Sequence, residues 1–343
     1  MGEVEDPKET ERVPPEMELS RLIGGMGVTQ MIYVAAKLGI ADHLQDGPKS
    51  SAQLAKLVEA DPRALYRLLR SLASLGIFSQ GEEKFFGLTA LAEPLRTGGQ
   101  MRNWAIMVGA RWFWDAWGDL LHSVRTGETA FGHVFGVGPL EYLTAHPEEG
   151  QIFNDAMTSG TKKFVEPFLS AYDFSKFKKV VDVGGGHGIL VAGLLRTHPH
   201  LRAVVFDLPE VIEGARSLLE AEGVLERSRL VGGDFFEAVP EGGDVYVLKH
   251  IIHDWDDDRA IAILRNCQRA MGSQGRVLLL EGVLPAGSEP HPGQIADIIM
   301  MVMTGGQERT ENEFRGLFEQ AGLKLARIIS TESPISVLEG VPA

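Results

Sequence analysis

VVDVGGGHGIL, residues 180–190, is the stretch that decides the fold. A short β-branched run ends at Val183, four glycines follow within five residues, and an apolar helical pattern starts at Ile189. Glycines between a strand and a helix let the backbone come close to a ligand. The dinucleotide fingerprint G-x-G-x-x-G is poorly matched, because its last position falls on Ile189 or Val191. Asp182, just before Gly184, Gly185 and Gly186, would oppose a pyrophosphate and favour a ligand that carries positive charge. S-adenosylmethionine, with an ammonium and a sulfonium, is such a ligand.

Outward from this loop, strand-length apolar runs alternate with helical patterns. KVVDVG, RAVVFD, DVYVLK and GRVLLLE are separated by HGILVAGLLRTH, LPEVIEGARSLLEAEG and DDDRAIAILRNCQRAMG. This alternation predicts an α/β fold, a mostly parallel sheet covered on both faces. LKLARIIS and ISVLEG add two final strands, one of them antiparallel. Asp207 ends the second strand, where a carboxylate can accept ribose hydroxyls. Asp234 and Phe235 follow the third, an acid for the adenine amino group and a ring for its face. Each alone is an ordinary strand-end residue; their order is what carries the reading.

Residues 22–95 are helical in pattern. In DPRALYRLLRSLASLG, Asp61 is the N-cap, Pro62 opens the helix and Gly76 follows its end. IFSQGEEKFFGLT then reads as a small hairpin, giving a winged-helix outline. Between Lys49 and Arg96 seven basic residues face five acidic ones, and Glu82 and Glu83 sit on the wing, which disfavours DNA. A helical module for dimer packing is the expected use. Residues 101–166 continue helical, with RWFWDAW reading as core packing or as the lining of a large apolar pocket.

The expected organisation is a disordered N-terminus over 1–15, a winged-helix-like dimerisation domain over 16–100, a helical linker and pocket region over 101–166, and the cofactor-binding domain over 167–343. At roughly 100–200 residues per domain, 343 residues fit such a plan. A net charge of −14 argues against nucleic acid as a partner. No run approaches the ~18–20 apolar residues of a membrane span. The lone Cys267 excludes an intrachain disulfide, and a cytoplasmic location is expected.

LKHIIHDWDDD, residues 248–258, holds the densest chemistry. Asp256, Asp257 and Asp258 open a helix, where a cap and first-turn negative charge are favourable. That use makes a metal site unnecessary, and none is expected. Together FNDAMTSGT, DVGGGHG, FDLP, GDFF, LKHIIHDWDDD, LLLEGVLP and GGQERT span most of the chain. With them the sequence resembles the S-adenosylmethionine-dependent O-methyltransferases of small molecules, the caffeate type of plants and its bacterial relatives in pigment and antibiotic biosynthesis.

The resemblance implies a homodimer, S-adenosylmethionine as cofactor and a hydroxylated aromatic or polyketide-like acceptor. It marks His253 as the general base, flanked by Glu281 and Glu308. It places Lys249 near the adenine, Asp254 beside the acceptor's polar groups, and Met157 and Met300 on opposite faces of a flat acceptor. The approach to GGQERT is about one residue shorter than in the plant enzymes, which bears on Met300. It implies no histidine at 250, so His250 reads as packing or pocket lining. Three other outcomes fit parts of the sequence: a relative on the same fold with non-methylating chemistry, such as a decarboxylase or cyclase, a winged-helix regulator, and a nicotinamide oxidoreductase.

Overall fold

The computed structural model describes residues 14–343. The expected disordered N-terminus lies almost entirely outside the described residues, and a helix already begins at Pro15. The chain forms two compact units that meet in sequence at Ala110 and Arg111.

In the first unit, Asp61 accepts the Ala64 N–H at 2.8 Å and Pro62 opens the helix to Ser74. That helix buries Leu65, Leu69 and Leu72. Ser50 and Gln53 cap the preceding helix reciprocally. Strands Phe78–Gln80 and Phe85–Leu88 form the expected hairpin, and Lys49–Ser50 adds a third, antiparallel strand. Phe78 and Phe86 close this core. The helix Pro15–Ile23 contributes nothing to it: Met17, Leu19, Leu22 and Ile23 are all exposed.

The second unit carries the large sheet. Its seven main strands are β1 (Lys179–Val183), β2 (Arg202–Asp207), β3 (Ser228–Gly232), β4 (Val245–Lys249), β5 (Arg276–Leu284), β6 (Leu323–Ser330) and β7 (Ile335–Pro342), and a two-residue strand, Arg309–Thr310, pairs parallel with Val283–Leu284. Their spatial order is β6-β7-β5-β4-β1-β2-β3. The first five run parallel and β7 pairs antiparallel with both neighbours. The order reverses between β1 and β4, so the crevice beyond the carboxyl ends of these two strands is where such sheets bind ligands. Two apolar layers, one including Leu248, Leu264 and Phe314, the other Leu190, Val205 and Val337, cover the faces.

The boundary expected near Pro167 falls inside a helix, Pro147–Ala171. Residues 111–166 belong to the same compact unit as the sheet. The reason is packing: Val165 and Leu169 of this helix rest against the first helix after β1, so closely that a Cβ on Gly193 would lie 2.3 Å from Val165 Cγ1. A change from helical to strand periodicity marks a change of secondary structure, and a domain boundary does not have to coincide with it.

Candidate active site

The glycine loop leaves β1 with Gly184 and Gly186 at φ +71° and +54°. A Cβ on Gly184 would lie 2.3 Å from Ile251 Cδ1, and one on Gly185 would lie 2.8 Å from Asp182 Oδ2. Side chains are therefore excluded, and the backbone itself forms the floor. Asp207, at the end of β2, accepts the Gly186 N–H at 2.7 Å and the Leu208 N–H at 2.7 Å. It keeps spare lone pairs on both oxygens. Asp234 accepts the Phe236 N–H at 2.8 Å. Phe235 packs edge-on against Phe236 and Trp255.

Asp182 is the odd group of this region. Its carboxyl is buried, and Oδ2 has no hydrogen-bond partner. Burial, with Asp207 adding to it and Lys249 opposing, pushes its pKa up to about 7. A buried carboxyl that lacks a partner is complementary to a cation. The loop and its acids thus fit a ligand with positive charge and a nucleoside.

His253 stands on a short turn, Ile252–Asp254, just past β4. Its Nδ1 is 2.9 Å from Glu308 Oε1 and 3.6 Å from Glu281 Oε2. An ionised carboxylate only accepts, so Nδ1 carries a hydrogen in either charge state, and Nε2 is the atom that presents a lone pair when the ring is neutral. Nε2 is 3.7 Å from Asp254 Oδ1. Burial would lower the imidazole's pKa, but the carboxylates of Glu281, Asp254 and Glu308 outweigh it and raise it to about 9. Glu281, fully buried on β5, is pushed by burial up to about 7 against the pull of His253. Its Oε1 accepts the Ile251 and Ile252 N–H groups, which fixes it beneath the turn.

The loop carrying Glu308 is laced to the same turn. Gln307 N–H donates to the His253 carbonyl at 2.9 Å. A Cβ on Gly306 would fall 2.0 Å from that carbonyl oxygen, so only glycine lets the two backbones meet. Glu308 N–H donates to Asp297 Oδ1 at 2.9 Å. Arg309 is completely buried and donates to the carbonyls of Ile252 and Trp255 and to Asp257 Oδ1.

Lys249 Nζ lies 3.2 Å from His250 Nδ1, and burial lowers its pKa to about 8. Met157 is half-buried, in the turn of its helix where the Thr158 hydroxyl reaches His187 of the glycine loop at 3.4 Å. Met300 is half-buried on the helix Gly293–Met303. The aspartate run divides: Asp256 caps its helix by accepting the Arg259 N–H, as expected. Asp257 does more than add first-turn charge, since it anchors Arg309 and Gln307. Sequence reasoning missed Arg309, Asp297 and Phe164. Arg309 carried the one usable signal, an arginine inside a motif already tied to the base.

Among the described residues, Asp119, His122 and His133 bring possible metal-ligating atoms within 4.8 Å of one another. The two rings stack at 3.9 Å and only 7° from parallel. Imidazole lone pairs lie in the ring plane, so here they run side by side and do not converge on one ion. His133 Nδ1 meets Asp119 Oδ2 at 2.6 Å, and the cluster reads as a stacked, hydrogen-bonded pair.

An α/β sheet with a cation-seeking glycine crevice beside a buried histidine and carboxylates defines a methyl-transfer class of enzyme. Residues 117–324 match the O-methyltransferase domain family and residues 20–97 the O-methyltransferase dimerisation domain. The chain belongs to the S-adenosylmethionine-dependent O-methyltransferases, and S-adenosylmethionine is its methyl donor. It is 47% identical to the phenazine O-methyltransferase PhzM of Lysobacter antibioticus over 96% of this chain and 97% of the relative. The crystal structure of the O-methyltransferase NcsB1 with S-adenosylmethionine and 2-hydroxy-5-methyl naphthoic acid superposes with a TM-score of 0.80. It has 34% identity and covers 92% of this chain and 96% of that one. Aclacinomycin 10-hydroxylase RdmB of Streptomyces purpurascens is 35% identical over 91% of this chain and 86% of its own. Among the described residues no helix is long and apolar enough to cross a membrane.

Proposed function

We propose that the chain methylates a phenolic hydroxyl of an aromatic or polyketide-like small molecule, with His253 as the general base. The observation that carries this reading is the Nδ1–Glu308 bond, which leaves Nε2 as the proton acceptor. Bound S-adenosylmethionine supplies a methyl group on a positively charged sulfur, which favours attack by a phenolate. Gly184, Gly185, Gly186, Asp207, Asp234, Phe235 and Lys249 hold that cofactor. Asp254 meets the acceptor's polar groups, and Met157 and Met300 pack on its two faces through soft thioether contacts.

The base has a thermodynamic problem to solve. A phenol of pKa ~10 and a free imidazole of ~6.5 differ by about 5 kcal/mol. Raising His253 to about 9 closes most of that gap. Glu281 and Glu308 do this by stabilising the imidazolium, and burial keeps water from competing. The raised pKa has a kinetic sign: below about 9 most of the free enzyme holds a protonated His253, which cannot accept. Acceptor kcat/KM is therefore expected to rise with pH and level off around that value. Glu281→Gln removes one of the supporting charges and moves the rise to lower pH. A profile identical in both proteins would sink this assignment of Glu281.

The direct test is mass. With labelled-methyl cofactor and a panel of hydroxyarenes, the product gains one methyl and the label. The relative named as a hydroxylase makes this measurement decisive, because product oxidised without gain of label would overturn the reading. Dimerisation is the expected role of residues 20–97, in a cytoplasmic enzyme. The bare apolar side chains of Leu22 and Ile23 fit burial against a second copy. Leu22→Asp with Ile23→Asp is expected to turn the dimer into a monomer by light scattering; an unchanged mass removes this helix from the interface.

A further inference from the structure

His250 stands where the backbone would prefer another residue. Its φ is +53°, a left-handed conformation that β4 reaches immediately after Lys249. Such a conformation costs a non-glycine residue on the order of 1 kcal/mol and tends to persist at functional sites. Here it is held by the His250 N–H donating to the Leu280 carbonyl at 3.1 Å. The side chain is then fixed on three sides. Its ring stacks on His253, with centroids 4.9 Å apart and planes 19° from parallel. The edge of Phe164, from the same helix as Met157, meets it at 5.7 Å. Lys249 Nζ lies 3.2 Å from Nδ1.

The lysine contact fixes the tautomer. An ammonium can only donate, so His250 Nδ1 accepts and the ring hydrogen sits on Nε2. Burial, Lys249 and His253 all hold the ring neutral, which agrees with this assignment. The two stacked imidazoles are thus opposite in kind. In its neutral form His253 shows a lone pair at Nε2, whereas His250 shows an N–H donor at Nε2 with an ammonium behind it. His250 is no second base; it is a fixed donor beside the base.

We propose that His250 is a specificity-determining residue, whose Nε2–H hydrogen-bonds a carbonyl or carboxylate oxygen of the acceptor adjacent to the hydroxyl that is methylated. This rests on the reading of His253 as the base that faces the same acceptor. An acceptor with neighbouring hydroxyl and oxo groups matches the pair, because it offers a proton to one ring and an oxygen to the other. The Lys249 ammonium adds to the attraction when that oxygen is anionic.

Binding tests this without relying on turnover. The probes are 3-hydroxy-2-naphthoate and 2-naphthol, titrated into protein saturated with S-adenosylhomocysteine. The parent is expected to bind the carboxylate-bearing ligand at least about tenfold more tightly, as a hydrogen bond to a charged group provides. His250→Phe keeps a ring on His253 but has no donor, and is expected to bring the two affinities within about threefold. His250→Gln keeps an N–H of similar reach and is expected to keep most of the preference. Unchanged S-adenosylhomocysteine affinity in each variant shows an intact site. A parent without the preference, or a His250→Phe that retains it, overturns the proposal. A protein that discriminates in this way yet transfers no methyl would instead refute the methyl-transfer reading.

Discussion

His253→Ala is expected to lower kcat by roughly 10²- to 10⁴-fold at neutral pH, the range a positioned general base supplies. Cofactor affinity should hardly change, because the glycine loop and Asp207 are bonded to each other and not to His253. The deficit has a second signature. As pH approaches the phenol's own pKa of about 10, the acceptor ionises without help. Below about pH 9 both rates rise together, so the gap between variant and parent should stay constant there and narrow only above it; it should also narrow with more acidic phenols at fixed pH. A merely structural histidine would give a deficit that ignores both. Initial rates across pH, for two acceptors of different acidity, measure this. A variant that methylates as fast as the parent near pH 7 would end the base assignment.

Much of this was legible from sequence, and what was legible shares a physical cause. The parallel sheet could be read because its strands are buried on both faces, which leaves unbroken runs such as VYVLK and VLLLE. Asp61 and Asp256 could be read because capping is local, with partners three residues apart. The glycine loop could be read because a backbone that admits no side chain leaves glycines in the sequence. What escaped depends on partners far along the chain. Glu308 and His253 are 55 residues apart, and only the family resemblance joined them. Arg309 escaped because its partners, the carbonyls of Ile252 and Trp255, lie more than fifty residues back along the chain. His250 looked like packing because a positive φ has no signature in a histidine. The expected boundary at Pro167 failed for the same reason, since the contacts that bind residues 111–166 to the sheet unit are tertiary.

Arg309→Met is expected to impair both stability and catalysis, and the two effects can be separated. Methionine fills much of the volume but removes the guanidinium donors from the Ile252 and Trp255 carbonyls, leaving Ile252 only the Trp255 N–H at 3.3 Å. Losing such buried hydrogen bonds costs about 1–3 kcal/mol per group, so a fall in Tm on the order of 5–10 °C is expected for a unit of this size. Catalysis should suffer beyond that, even well below Tm. Arg309 joins the strand segment next to Glu308 to the turn that carries His253, through Ile252 on one side and Trp255 on the other. Released, the turn can shift, and a displacement of about 1 Å at a reacting group costs roughly 10²-fold in rate. Gly306→Ala attacks the same seam from the other side, because its Cβ would meet the His253 carbonyl oxygen at 2.0 Å and must push the turn away. Both variants should therefore lose kcat while their KM for S-adenosylmethionine stays near the parent's. Arg309→Lys discriminates charge from geometry. A single ammonium cannot reach two carbonyls and Asp257 at once, so it should recover stability only in part and kcat hardly at all. An Arg309→Met protein with kcat within threefold of the parent at 20 °C would show that His253 and Glu308 hold their register without this clamp.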